Sequence, residues 1–165
     1  MIPADSQKEL YRQFFLHAPV GLGISDAAGV LIDFNDALLA YSGWTREEMA
    51  AVKNVVDLYA DGEKERDRLL GLAREQGGNL DRVEVRFKRK GGGTFLSLMS
   101  LRMVAVGDMR YWLAMIEDVT ELRRAQSAKE QYAEEMERVA RLVVDREQRM
   151  IALKKRIEEL ENGGK

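Results

Sequence analysis

Apolar residues first recur at helical spacing: Leu10, Tyr11, Phe14 and Phe15 follow Ser6-Gln7-Lys8-Glu9, whose order is that of a capping box with Ser6 as N-cap. Pro19 ends that helix, because the residue before a proline avoids the helical region. The pattern then shortens. Val20 to Ser25 and Val30 to Phe34 read as strands joined by the turn Asp26-Ala27-Ala28-Gly29. Asp36 to Tyr41 is a short helix ending near Gly43, and Thr45-Arg46-Glu47-Glu48 is a second capping box. Asp61 to Gln76 is a polar helix that turns Leu69, Leu70, Leu72 and Ala73 inward and stops at Gly77-Gly78. Three strands follow, Arg82 to Arg89, Thr94 to Val106 and Arg110 to Asp118, separated by Gly91-Gly92-Gly93 and Gly107-Asp108.

A different period governs the rest. With Leu122 at heptad position a, the a positions are Leu122, Lys129, Met136, Val143, Met150 and Ile157. The d positions are Ala125, Tyr132, Val139, Arg146, Leu153 and Leu160. A 3.5-residue repeat kept this long predicts a left-handed coiled coil, and one helix cannot bury its own seam. A parallel homodimer is therefore expected through this helix, and the first helix is a second candidate contact. Lys129 and Arg146 seat charges in the seam, which lowers stability and either fixes register or oligomer state or marks only a looser stretch; in a signalling rod such weak spots allow two packings. The expected division is 1–19 for the flanking helix, 20–119 for a folded domain, 120–162 for the rod and 163–165 for a loose tail.

Composition narrows the chemistry. The stretch up to Thr120 carries 15 basic and 18 acidic residues and the remainder 11 and 10, so neither part has the positive excess of a nucleic-acid binder. The chain has no cysteine, which excludes disulfides, thiolate metal sites and thiol nucleophiles. No apolar run approaches the ~18 residues of a membrane span, and a cytoplasmic protein without a membrane partner is the expectation. Arg86, Lys88, Arg89 and Lys90 read as charged gatekeepers at a strand end. The glycine triplet lacks the Gly-Lys-Ser/Thr ending of a phosphate loop, no base–nucleophile pair is evident, and an enzyme is not expected.

Four segments now line up with one family. His17-Ala18-Pro19-Val20-Gly21-Leu22-Gly23-Ile24-Ser25-Asp26 resembles the opening strand of PAS sensor domains, and Phe34-Asn35-Asp36-Ala37 resembles its second strand running into a small helix. Tyr41-Ser42-Gly43-Trp44-Thr45-Arg46-Glu47-Glu48-Met49 is similar to the helical segment that follows. Asp118-Val119-Thr120-Glu121 resembles the signature that closes a PAS domain and opens its output helix. The resemblance covers about residues 8 to 124, and the rod resembles the signalling helices that join PAS domains to a kinase or other output domain.

The resemblance implies an α+β fold: a five-stranded antiparallel sheet with short helices on one face, flanked by the first helix and the long coiled-coil helix. It implies a ligand cleft between sheet and helices, and a coupling role for Asp118, Thr120 and Glu121 at the exit. A bland reading of Thr120 is a simple helix N-cap. Candidate cleft residues are Asn35, Trp44, Leu98, Met99, Leu113 and Met115. Which strand parity faces the cleft is open, because Phe95 to Val106 is apolar on both sides. The resemblance implies that an axial haem ligand would come from the helix Asp61 to Gln76, which has no His, Cys, Met or Tyr, so haem is not expected. A cysteinyl-flavin photoadduct is excluded by composition, while a non-covalent flavin or a small metabolite stays open. His17, the only histidine, sits in the His-Ala-Pro opening and reads as structural. The expected function is a sensory and dimerisation module of a signal-transduction protein, with a constitutive protein–protein adaptor as the alternative.

Overall fold

The computed structural model describes residues 3–162. Its elements in chain order are α1 (Ala4–His17), β1 (Gly21–Asp26), β2 (Leu31–Phe34), α2 (Asp36–Ser42), α3 (Arg46–Ala50), a 3-10 helix (Val55–Leu58), α4 (Glu63–Glu75), β3 (Asn79–Lys88), β4 (Thr94–Val106), β5 (Met109–Asp118) and α5 (Thr120–Asn162). The chain divides into two units, the first ending at Glu121 and the second starting at Leu122. The expected tail at 163–165 lies outside the described residues, as does the side chain of Leu160.

In the first unit all five strands pair antiparallel in the order β2-β1-β5-β4-β3. Side chains alternate across each strand, so the register decides which residues share a face. Met99 pairs with Ile116 and Leu101 with Ala114, while Val85 pairs with Ser97 and Phe87 with Phe95. These residues are mostly buried and pack with Leu38, Met49, Leu58 and Leu69 of the helices. The opposite parity, with Leu98, Leu113 and Met115, faces away. Gly21 and Gly23 fall on the inner face of β1, where a Cβ at Gly21 would meet the Ile116 carbonyl at 3.1 Å and Leu38 at 3.4 Å. The missing side chains let α2 settle onto the sheet.

Local signals account for most boundaries. The Thr45 box forms as expected: its hydroxyl accepts from Glu48 N and Glu48 returns to Thr45 N. The Ser6 box does not form. Pro3 is the N-cap of α1, the helix already includes Ser6, and no side chain caps it. Proline is well placed before a first turn, where an N–H has no helical partner to lose. β3 starts earlier than expected, at Asn79, because an irregularity between Leu80 and Val83 absorbs Asp81 and Arg82. Arg82 has φ +50°, a left-handed conformation, and its N–H is held by Ser100 Oγ at 3.1 Å. α1 buries no residue fully: Leu10, Tyr11 and Phe14 are exposed, while Phe15 and Leu16 are half-buried. His17 Nδ1 lies 3.7 Å from Asp36 and tethers the end of α1 to α2.

Asn35 is the polar bracket of this unit. It is fully buried, and its Oδ1 accepts from Leu22 N at 2.8 Å and Leu38 N at 3.1 Å, while Nδ2 donates to Val20 O at 2.8 Å. One side chain thus closes backbone groups of β1 and caps α2. Asn35→Ala strands several buried polar groups and should destabilise the first unit by about 2–4 kcal/mol, read as a lower urea midpoint.

Candidate functional site

A cavity of about 90 Å³ lies between the inner face of the sheet and the helices. Its origin is local. Gly23 and Ala114 are cross-strand partners on the inner face, so two adjacent positions carry almost no side chain. Trp112, Ile116, Met99 and Leu101 extend the floor, and Leu38, Leu58 and Leu69 stand over it. One wall is the β1–β2 turn. Asp26 Oδ1 accepts from Ala28 N and Val30 N, and the turn is clamped to the 3-10 helix by Asn54 Nδ2 to Ala28 O at 3.0 Å and Val55 N to Gly29 O at 2.8 Å. Gly29 (φ +86°) is needed there, since a Cβ would meet Asn54 at 2.9 Å.

The polar lining is sparse. Ser25 faces inward beside its cross-strand partner Trp112, and Tyr59 and Arg66 also line the cavity. Burial, with the nearby Glu65, pushes the Tyr59 phenol up to about 12, so it stays protonated at neutral pH. Arg66 is paired with the exposed Asp67 at 2.9 Å.

Of the six expected cleft residues, only Met99 lines this cavity. Leu98, Leu113 and Met115 are on the outer face, with Met115 51% exposed. The expectation failed because both faces of β4 are apolar, so the pattern carried no parity. Asn35 is the bracket described above. Trp44 packs against the core away from the cavity, and its Nε1 is fully enclosed without a hydrogen-bond partner. Gly23, Ala114 and Tyr59 were not singled out as lining, and only the pairing of β1 with β5 brings Gly23 and Ala114 beside Trp112.

A second constellation sits at the exit of β5. Asp118 Oδ1 accepts from Thr120 N at 2.9 Å, and Oδ2 pairs with Arg89 at 2.7 Å. The Thr120 hydroxyl accepts from Leu96 N at 3.0 Å, and Val119 N donates to Leu96 O at 2.9 Å. Thr120 is therefore not a simple N-cap, because its hydroxyl reaches across to β4. Arg89 also donates to Tyr41 O at 2.6 Å and lies 5.0 Å from the centre of the Phe95 ring. Tyr41 in turn donates its phenol proton to Pro19 O at 2.9 Å, and burial, then Asp118 and Glu117, raise its pKa. Arg89, read from the sequence as a gatekeeper, is thus the hub of this joint. Its partners lie far off in sequence, which no local pattern reports. Glu121 occupies the first turn of α5.

In the second unit α5 carries the seam. Leu122, Tyr132, Met136, Val139, Val143, Met150, Leu153 and Ile157 are all exposed, as are Ala125 and Arg146. No helix among the described residues is long and apolar enough to cross a membrane.

A family model described as PAS domain matches residues 19–121. Among solved structures, the chain is similar to a PAS domain from a two-component sensor histidine kinase (16% identity, 70% of this chain and 99% of that one, TM-score 0.60). It is also similar to a domain of the sensory box sensor histidine kinase/response regulator from Geobacter sulfurreducens (27% identity, 70% and 97%, TM-score 0.56). An RNA-binding Light-Oxygen-Voltage receptor shares the fold over 81% of this chain but 39% of its own (21% identity, TM-score 0.65). No curated protein matches the chain.

Asp118 and Arg89 are partly shielded from solvent, so their pairing has more weight than a surface ion pair. A double-mutant cycle with Arg89→Met and Asp118→Asn should give a coupling of about 1 kcal/mol in urea unfolding. Additive losses would mean that the two do not act together.

Proposed function

The chain belongs to the PAS domain family, and from that premise we propose that this sensory signalling module reads occupancy of the β1–β5 cavity and passes it to a dimeric rod. One observation carries the reading: a single strand, β5, supplies both the cavity floor and the exit joint. Ile116 lines the cavity and Asp118 stands two residues further on. A change in packing against Trp112, Ala114 or Ile116 therefore bears on the strand that ends in the Asp118–Thr120 joint. The Leu96 and Arg89 bonds hold that joint to β4 and to the end of α2.

The output is a parallel homodimer through α5. The sustained heptad and the exposed seam support this pairing, since a lone helix leaves such a stripe in water. The exposed face of α1 and the apolar outer side of β5 offer a further contact between copies. A downstream kinase or other output domain is the partner that the similar sensor proteins favour.

The cavity argues against a flavin. Drug-sized ligands occupy sites of ~300–1,000 Å³, and about 90 Å³ is well below that range. A small molecule suits it better. Close packing also favours the constitutive adaptor as the second reading, in which the cavity has no occupant.

Because the chain has no cysteine, a single Gln148→Cys label on the outer side of the rod reports its geometry without background. The full chain should be a dimer by native mass spectrometry. Ala114→Leu fills the cavity from within and should change the distance between the two labels. Adding Thr120→Ala should abolish that change at a stability cost of about 1 kcal/mol. An adaptor would show the same distance in every variant.

Arg146→Leu removes a charge from the seam. It should raise the melting temperature of the dimer and fix the label distance regardless of Ala114→Leu. A variant that melts higher yet still responds would leave Arg146 without a switching role.

A further inference from the structure

Buried polar side chains in folded proteins are almost always hydrogen-bonded, so those that lack a partner call for one. Tyr59 and Ser25 are only 7% and 6% exposed. No hydrogen bond to either hydroxyl, or to Trp112 Nε1, exists among the described residues, although all three residues line the same cavity. Among the described residues only Trp44 Nε1 is both unpartnered and fully enclosed, so the Tyr59 and Ser25 hydroxyls retain open surface beside them. Ser25 and Trp112 are cross-strand neighbours facing inward, and Tyr59 is fixed by its ring against Phe87 at 5.3 Å between centroids. These groups share a chemical bias. The indole is only a donor and the phenol is protonated at neutral pH, while the Arg66 guanidinium is already neutralised by Asp67 at 2.9 Å. No carboxylate lines the cavity. The rest is aliphatic or aromatic.

We infer that the cavity takes a short-chain carboxylate, its alkyl body against Leu38, Met99 and Ala114 and its oxygens toward the unpartnered donors of Tyr59, Ser25 and Trp112. Size agrees in scale: about 90 Å³ is well above the ~10–15 Å³ that one water needs and well below the ~300 Å³ of the smallest drug-sized sites, which suits a small organic acid. A neutral alcohol of the same length fills the space but presents one acceptor to several donors. An amine brings further donors to a lining that already offers donors. This inference rests on the proposed reading of the cavity as the sensing site, and it names what is sensed.

The test is an amide and indole NMR titration of the full chain with sodium propionate and, separately, 1-propanol, using unaltered protein, Tyr59→Phe and Ser25→Ala. The Phe variant keeps ring and volume, and Ser25→Ala serves if it does not fold. Propionate should shift the Ser25 and Tyr59 amides and the Trp112 indole, and saturate at a concentration about tenfold below 1-propanol. Tyr59→Phe should weaken propionate about tenfold and leave 1-propanol within about twofold, since only the charge-assisted bond is lost. If 1-propanol binds as tightly as propionate, or neither variant changes the propionate affinity, the carboxylate assignment fails while the cavity remains a binding site. If neither compound shifts these resonances, both the assignment and the cavity reading fall.

Discussion

The pairing of β1 with β5 is the contact from which the rest follows. It joins Gly21 to Ile116 and Asp26 to Tyr111, so the start of the domain lies beside its end. Such a contact closes a long loop, and the chain must lose that entropy before the pairing returns anything. The return comes from both sides of the strands. β5 is held by β4 along ten paired positions, from Ser97–Asp118 to Val106–Met109, and β1 is held by the Asn35 bracket and by β2. Without β1 against β5, Gly23 would not face Ala114 and no cavity would exist. The exit joint would also lose its support, because Asp118 is placed by the strand that this pairing centres in the sheet.

The joint is built from modest bonds. Thr120 to Leu96, Asp118 to Thr120 and Asp118 to Arg89 are each a hydrogen bond or partly exposed ion pair. Such contacts contribute on the order of 1 kcal/mol apiece. They share residues, however. Asp118 serves two partners, Arg89 serves Asp118 and Tyr41, and Leu96 bonds both Val119 and Thr120. A disturbance at one therefore reaches the others, as interaction energies within a shared network are not additive.

Much of this arrangement was legible in the sequence, because local chemistry fixed it. The bounds of β4, Thr94–Val106, stand between two glycine turns, and the Thr45 box forms as its spacing dictates. The five-stranded sheet and the long helix follow the family resemblance. What stayed hidden needed tertiary contacts. The parity of β4 and β5 could not be read where both faces are apolar, so Leu98, Leu113 and Met115 were placed on the wrong side. Asn35 looked like a cleft residue because a polar side chain after a strand serves either role, and only its partners at Leu22, Val20 and Leu38 decide. Arg89 was one cation among four until Asp118 and Tyr41 were brought to it. The Ser6 motif had the spacing of a box, yet Pro3 had already started the helix.

The energetic scales of cavity, joint and rod are compatible with a switch rather than a rigid scaffold. A ligand shifts an equilibrium only by its difference in affinity for the two states. A small occupant of a cavity of about 90 Å³ has few contacts to give, and a few kcal/mol is the most it can redistribute. A seam of uninterrupted Leu and Ile would bind too tightly for that to matter. In the proposed dimer, Lys129 and Arg146 would weaken such a seam at two levels. On the proposed reading, strengthening any one of cavity, joint and rod without the others would leave a stimulus that the rod no longer follows.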